Sequence, residues 1–220
     1  MTGRRTYDDA CGIARALDIV GERWALLVAR ELLTGPKRFT DLRSALAKIA
    51  PDVLAQRLRD LEQAGVVHRR TLAPPAASRV YELTDWGREL EPVLVALGRW
   101  GSRAPLPPGA PALSVAAAIV ALETTFDPAG ASAETFELRL DEQPFTLGVR
   151  DGRLEATPGP ATDPTATIAT NTATLAAVLW HGRPAAEAIA AGTLTVDPDP
   201  AALERFRAWF TPPVPMAETA

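Results

Sequence analysis

Gln56, Arg57 and Arg59 are the side chains in this sequence best suited to meet a nucleic acid base. A glutamine amide can pair an adenine edge, and an arginine fork can take a guanine edge or a phosphate. Further cations stand close by in sequence: Arg38 ahead of these three, and Arg69, Arg70 and Arg79 behind them. Such side chains suit phosphate oxygens, contacts that position a protein on a duplex without reading its sequence. The other reactive group is the thiol of Cys11, the single cysteine. No Ser/His/Asp or Cys/His set, phosphate-cradling lysine loop or Gly-rich dinucleotide turn is present, which disfavours an enzyme. Asp197 and Asp199 look like paired carboxylates, but Asp199-Pro200 reads better as a helix cap. One cysteine and two histidines, His68 and His181, cannot build a structural zinc site, so no metal or cofactor is expected.

The elements that must position Gln56 and its neighbours lie in Phe39 to Val67, FTDLRSALAKIAPDVLAQRLRDLEQAGVV. Thr40 is an N-cap candidate, with Leu42 and Leu46 following at helical spacing. Lys48-Ile49-Ala50 interrupts that pattern, and Pro51 can open a second helix, where a missing N–H costs nothing. Leu54, Leu58 and Leu61 make the buried stripe of this helix, and Asp52, Gln56, Arg59 and Gln63 the opposite face, with Arg57 on the flank. Gly65 ends it as a C′ glycine. Helix, short turn, then a helix exposing Gln and Arg is the layout of a helix-turn-helix. The bland alternative is a surface helix with solvated polar residues; the basic residues that follow tip the balance toward DNA.

Ahead of this pair, a helix is expected from Asp9 to Val20 with Ile13, Ala16, Leu17 and Val20 inward. A second is expected from Glu22 to Leu33 with Trp24, Leu27, Val28 and Leu32 inward, ended by Gly35-Pro36. Behind it, Val66 to Leu72 and Arg79 to Leu83 read as two strands around a Pro-containing loop, a hairpin wing. Thr84 can cap a last helix whose stripe runs through Trp86, Leu90, Val93, Leu94, Leu97 and Trp100, with Pro92 bending or breaking it. That stripe exceeds what a hundred-residue module needs for its own core and invites a second copy of the chain.

The composition is that of a globular protein, 47% hydrophobic and 23% charged. No apolar run approaches the ~20 residues of a membrane span, and the N-terminus lacks a signal-peptide stretch, so a cytoplasmic location without membrane contact is expected. The net charge of −4 hides an asymmetry. Residues 1–104 hold 17 Lys/Arg against 13 Asp/Glu, net +4, whereas residues 105–220 hold 6 against 14, net −8. A basic and an acidic module with different partners follow from that split. We expect residues 1–104 to be a winged helix-turn-helix module for DNA binding and dimerisation, 105–112 a Pro-rich linker, 113–212 a smaller α+β module and 213–220 a disordered tail.

From about Cys11 to Gly101 the sequence resembles HxlR-type winged-helix regulators, a branch near the MarR-like ones. The matching pieces include Gly21 with Arg23-Trp24, Arg30-Glu31-Leu32, Gly35-Pro36 with Arg38-Phe39, Gln56-Arg57-Leu58, Ala64-Gly65-Val66-Val67, Leu83-Thr84, Gly87 and Trp100-Gly101. The resemblance implies a homodimer built from the first and last helices of the module, bound to a palindromic operator in double-stranded DNA. Four positions depart from the family pattern: Ala50 where a Ser or Thr cap is usual, Asp52 and Ala55 where basic or polar residues are common, and Gly12 in place of Pro. Cys11 keeps two readings. It is either a small buried apolar residue or, as in several regulators of this kind, a redox or electrophile sensor, with Arg15 one turn on favouring thiolate.

The second module should open with an Ala-rich helix from Ser114 to Phe126. Strands follow at Thr135–Leu140, Phe145–Val149, Arg153–Ala156 after an Asp151-Gly152 turn, and Ala166–Thr170. A helix capped by Asn171, a shorter one opened by Pro184, a strand at Leu194–Val196 and a last helix with Leu203, Phe206 and Phe210 complete it. The order, and the wording around Asp163 to Thr170, Gly182-Arg183-Pro184-Ala185, Gly192-Thr193-Leu194 and Asp199 to Leu203, resembles the sterol carrier protein family. That resemblance implies an α+β fold with an apolar cavity for lipid-like molecules. Phe136, Leu138, Phe145, Leu147, Ile168, Leu179, Trp180 and Phe206 are the candidate lining, or simply core. Two functional classes stand side by side: a transcription factor responsive to a small apolar effector, and a lipid-binding protein whose winged helix serves protein contacts.

Overall fold

The computed structural model describes residues 6–73, 77–106 and 113–216. Two compact units divide the chain, Met1–Leu94 and Val95–Ala220. Residues 107–112 of the proline-rich stretch, the wing tip at 74–76 and tail residues 217–220 lie outside the described residues. No helix among the described residues is long and apolar enough to cross a membrane.

The first unit runs α1 (Gly12–Val20), α2 (Ala25–Leu33), α3 (Phe39–Ala45), α4 (Pro51–Gln63), β1 (Val67–Thr71), β2 (Arg79–Leu83), α5 (Asp85–Arg88) and the start of α6 (Glu91–Gly101). Val28, Leu32, Leu42, Leu54, Leu58, Leu61, Val67 and Leu83 form its core. The leucines of α4 are buried as their spacing predicts.

Several sequence expectations fail here for identifiable reasons. Helix α1 begins three residues later than Asp9, because the Asp9 carboxylate accepts from the Cys11 N–H (2.8 Å) and holds that segment in a turn. Its buried residues are Ala14 and Val20, while Ile13 (73% exposed), Ala16 and Leu17 face solvent. The helix is amphipathic, with Arg15 and Asp18 opposite the stripe of Ile13, Ala16, Leu17 and Val20, yet within this chain only Val20 of that stripe is buried. Leu27 of α2 is exposed as well. Trp24 precedes α2 in the left-handed region (φ 78°) and packs half-buried against the core, with the Arg23 guanidinium 5.3 Å from its ring centroid.

Thr40 does not cap α3. Arg38 holds the cap position and its N–H donates to the Asp41 carboxylate (3.0 Å), the reciprocal arm of a capping box. Thr84 caps α5, its hydroxyl accepting from Gly87 N–H (3.0 Å) and donating to the Gly65 carbonyl (2.7 Å). The expected long last helix is two helices, and the break at Glu89–Leu90 precedes Pro92. Pro92 then sits at the second position of α6, where its missing N–H is tolerated.

The second unit adds α7 (Val115–Thr125), β3 (Phe136–Leu140), β4 (Gln143–Arg150), β5 (Arg153–Pro158), β6 (Ala166–Thr170), α8 (Thr172–Trp180), α9 (Ala185–Ala190), β7 (Leu194–Asp197) and α10 (Ala202–Arg207). Its five-stranded sheet has the order β5-β4-β3-β6-β7. Only β3 and β6 pair parallel; the other neighbours are antiparallel. Ser114 and Asn171 cap α7 and α8 through their side chains. Helix α10 begins at Ala202, since Asp199 caps a preceding turn by accepting from Ala201 N–H (2.9 Å). The fold class is mixed α+β, with a winged helix-turn-helix ahead of the mixed sheet.

Candidate nucleic-acid interface

Helix α3 ends at Ala45 with Leu46 at its C-cap, and Pro51 starts α4 after a turn closed by the Ile49 N–H on the Leu46 carbonyl (2.8 Å). The cap residue of α4, Ala50, contributes no side-chain bond. Asp52 instead places a carboxylate in the first turn, where the helix dipole favours negative charge. The far end is closed by Gly65 (φ +76°): Val66 N–H reaches the Leu61 carbonyl (2.9 Å) and Gly65 N–H the Glu62 carbonyl (3.1 Å). This is a Schellman motif, and it turns the chain directly into β1.

Between those ends the candidate readers separate. Gln56 and Arg59 are exposed and bonded to each other, Arg59 donating to Gln56 Oε1 (2.6 Å). Gln56 Nε2 donates in turn to Asp60 Oδ1 (2.7 Å). Arg57 lies off that face, with its side chain 15% exposed. Asp60 (3.2 Å) and Glu22 (3.6 Å) hold its guanidinium. Asp60 therefore ties the exposed pair to the half-buried arginine. At the start of α3, Arg38 Nε donates to Ser78 Oγ (3.1 Å), joining the helix pair to the approach of β2. Thr40 is exposed beside it.

The wing is an antiparallel pair in which His68 faces Glu82, Arg69 faces Tyr81 and Thr71 faces Arg79. Lys37 adds a bridge to it, exchanging both backbone hydrogen bonds with Tyr81 (3.0 and 2.8 Å). Alternation along the strands puts Arg69 and Arg79 on the Tyr81 side and Arg70, with His68 and Glu82, on the other. Arg69 is bound to Glu62 of α4 (3.1 Å), whose hydrogen bond and charge raise its pKa above the ordinary guanidinium value. Arg70 is bound to Glu82, which also holds Arg88 (3.4 Å) and lies 3.8 Å from His68 Nε2. Arg79 has no ion pair among the described residues. The carboxylates Asp60, Glu62 and Glu82 were not singled out in the sequence. Only the i, i+4 spacing of Gln56 and Asp60 signalled one of them.

In the second unit, Phe136, Leu138, Phe145, Leu147, Ile168, Leu179 and Phe206 belong to one buried cluster, with Trp180 packed against it. Pairing of Phe136 with Leu147 and Ala166, and of Leu138 with Phe145 and Ile168, sets them on one sheet face. Trp209, fully buried and absent from the sequence expectations, stands among them: its ring meets Phe136 (5.0 Å) edge-on and its Nε1 donates to Ser132 Oγ (3.3 Å). Cys11 is exposed at the start of α1, which removes the reading of it as a buried apolar residue within a single chain.

The family described as HxlR-like helix-turn-helix matches residues 19–106. The uncharacterized HTH-type transcriptional regulator YdeP of Bacillus subtilis (strain 168) is 36% identical over 95 residues, 43% of this chain and 74% of that protein. YvaP of the same organism, likewise an uncharacterized HTH-type regulator, is 36% identical over 88 residues, 40% of this chain and 82% of that protein. Among solved structures, the reduced form of the transcriptional regulator YodB from B. subtilis is 31% identical, covering 43% of this chain and 94% of that one at a TM-score of 0.39. With identity and coverage of this order over the helix-turn-helix and wing just described, the chain belongs to the HxlR-like helix-turn-helix family of DNA-binding transcriptional regulators, whose function is not enzymatic.

Proposed function

We propose that the protein binds a palindromic operator as a homodimer and that a small apolar ligand in the 113–212 module modulates it. The observation that carries the reading is the exposed Gln56–Arg59 pair on α4, held in a fixed arrangement by Asp60. Gln56 and Arg59 would read base edges in the major groove, and Arg38, Thr40 and Arg79 would meet phosphates, joined by Arg69 and Arg70 once these leave their carboxylates. Arg57 would act by supporting the helix. Dimerisation is supported by solvent-facing apolar stripes, Ile13 and Leu17 on α1 and Val93, Leu97 and Trp100 on α6. A two-fold dimer would set two α4 helices about 34 Å apart, one turn of duplex.

The sterol-carrier-like reading of the second module rests on its strand and helix order and on the apolar cluster from Phe136 to Phe206. An effector there acts only if its affinity differs between the DNA-competent and DNA-free states. A mobility shift with the protein's own upstream DNA tests the proposal. Sequence-specific retardation that an apolar ligand alters supports it. No retardation at low salt leaves the lipid-binding reading, in which the winged helix serves protein contacts.

A second reading is favoured by the exposure of the Cys11 thiol. Oxidation or alkylation of Cys11 would then change DNA binding, with an intersubunit disulfide as one route. Diamide treatment that leaves the mobility shift unchanged, with the thiol shown to have reacted, would exclude it.

A further inference from the structure

Two wing-side arginines converge on one carboxylate. Glu82, whose side chain is only 17% exposed, holds Arg70 Nε with one oxygen and Arg88 with the other (3.4 Å). Both arginine side chains are 45% exposed, so each can swing out without unpacking the core. Carboxylate and phosphate offer a guanidinium the same ligand, two oxygens sharing negative charge. Exposed ion pairs of this kind are held weakly enough for a polyanion to displace.

We propose that Glu82 is an internal stand-in for a DNA phosphate, occupying Arg70 and Arg88 until a duplex backbone takes them over. The inference rests on the reading that the first unit binds duplex DNA, and it names the residue that sets how much affinity comes without sequence. Handing both arginines from Glu82 to phosphates leaves its carboxylate without a guanidinium beside the backbone. Every duplex, matched or not, meets that penalty. Backbone affinity is therefore held down, and discrimination falls to Gln56 and Arg59 on α4. A protein with the same arginines and no Glu82 would bind every duplex more tightly by a similar factor, leaving discrimination to Gln56 and Arg59.

The test is Glu82→Gln in the full chain, a change that keeps shape and removes charge. Fluorescence anisotropy is read over a salt series with the protein's own upstream duplex and with an unrelated duplex of equal length. The expected result is a gain of about threefold to tenfold on the unrelated duplex at low salt, with the salt dependence steeper by about one ion. The upstream duplex should gain by a similar factor, so the ratio between the two duplexes should stay the same. Adding Arg70→Ala to Glu82→Gln should remove most of the gain. Unchanged affinity and slope in a variant that melts like the wild type would overturn the inference, as would weaker binding to both duplexes. Should Glu82→Gln fail to fold, Glu82→Asp, which withdraws the charge by one methylene, is expected to move in the same direction by less, and an unchanged slope there counts equally against it. If the wild-type protein itself binds neither duplex at low salt, the DNA reading falls and takes this inference with it; if the wild type binds and the variants do not differ, only the inference fails.

Discussion

Gly87 lies so close beneath Val66 that a Cβ on it would stand 2.1 Å from the Val66 carbonyl oxygen. That carbonyl already accepts from the Thr84 N–H (3.0 Å), so it cannot move aside without loosening the start of α5 from the entry to β1. The contact joins the end of the helix-turn-helix to the segment that leads into α6.

Gly87→Ala should therefore destabilise the first unit by about 1–3 kcal/mol, the usual cost of overpacking against atoms that cannot give way. Thermal unfolding of the full chain reads this out. A variant that melts with the wild type would mean that the α5 turn shifts freely.

Arg57→Ala and Arg59→Ala should separate by property. Arg57 is held between Asp60 and Glu22, so its loss should lower stability by about 1 kcal/mol. Any effect on DNA binding would then be secondary to that loss. Arg59→Ala should leave melting within about 0.5 kcal/mol of wild type, as surface changes do, and weaken binding to the upstream duplex. A titration at one fixed salt concentration distinguishes them. The assignment of Arg59 fails if its removal leaves affinity untouched.

Trp209→Ala should cost the second unit about 3–5 kcal/mol, because a fully buried ring in edge contact with Phe136 leaves a large cavity. Trp209→Phe should cost less, keeping most ring contact and losing the hydrogen bond to Ser132. Denaturant titration gives both values.

Acid should weaken the second unit through Glu137. This buried carboxylate accepts from Arg139 Nε (2.6 Å) and from Ala161 N–H (2.9 Å), and these bonds, Arg139 first, hold its pKa below the ordinary carboxylate value. A folded pKa below the unfolded value of about 4.3 means stability present above that pH and lost as pH falls through the folded pKa. Glu134, lowered by Ser132 and then Arg205, adds in the same direction. Glu137→Gln should flatten the fall in unfolding free energy as pH drops below the unfolded carboxylate value of about 4.3. An equally steep fall in the variant would assign the acid sensitivity to other groups.

Local chemistry was legible at several element ends, though the cap read at Thr40 falls to Arg38. Pro51 opened α4 and Gly65 closed it, Asn171 capped its helix, and Ala166–Thr170 is a strand with the bounds its alternation indicates. The turn at Asp141-Glu142 was not legible. Both residues take positive φ (48° and 64°) without the glycine that marks Asp151-Gly152. The apolar stripe of α1 was legible but its burial was not: opposite Arg15 and Asp18 it runs through Ile13, Ala16, Leu17 and Val20, and only Val20 of these is buried within the chain.

The order and spacing of residues by themselves determined that a helix-turn-helix and wing precede an α+β module, because caps, breakers and apolar periods act within a few residues. They also determined which side chains could serve as DNA readers. Only the tertiary structure decided which of those cations are exposed and which are held. Asp60 and Glu22 draw Arg57 inward, Glu62 binds Arg69, and Glu82 binds Arg70 with Arg88. Apart from the Arg57–Asp60 contact within α4, these pairs join different elements of the fold. An ion pair depends on distance in space, and no pattern along the chain states that distance before the wing has folded back beside α4.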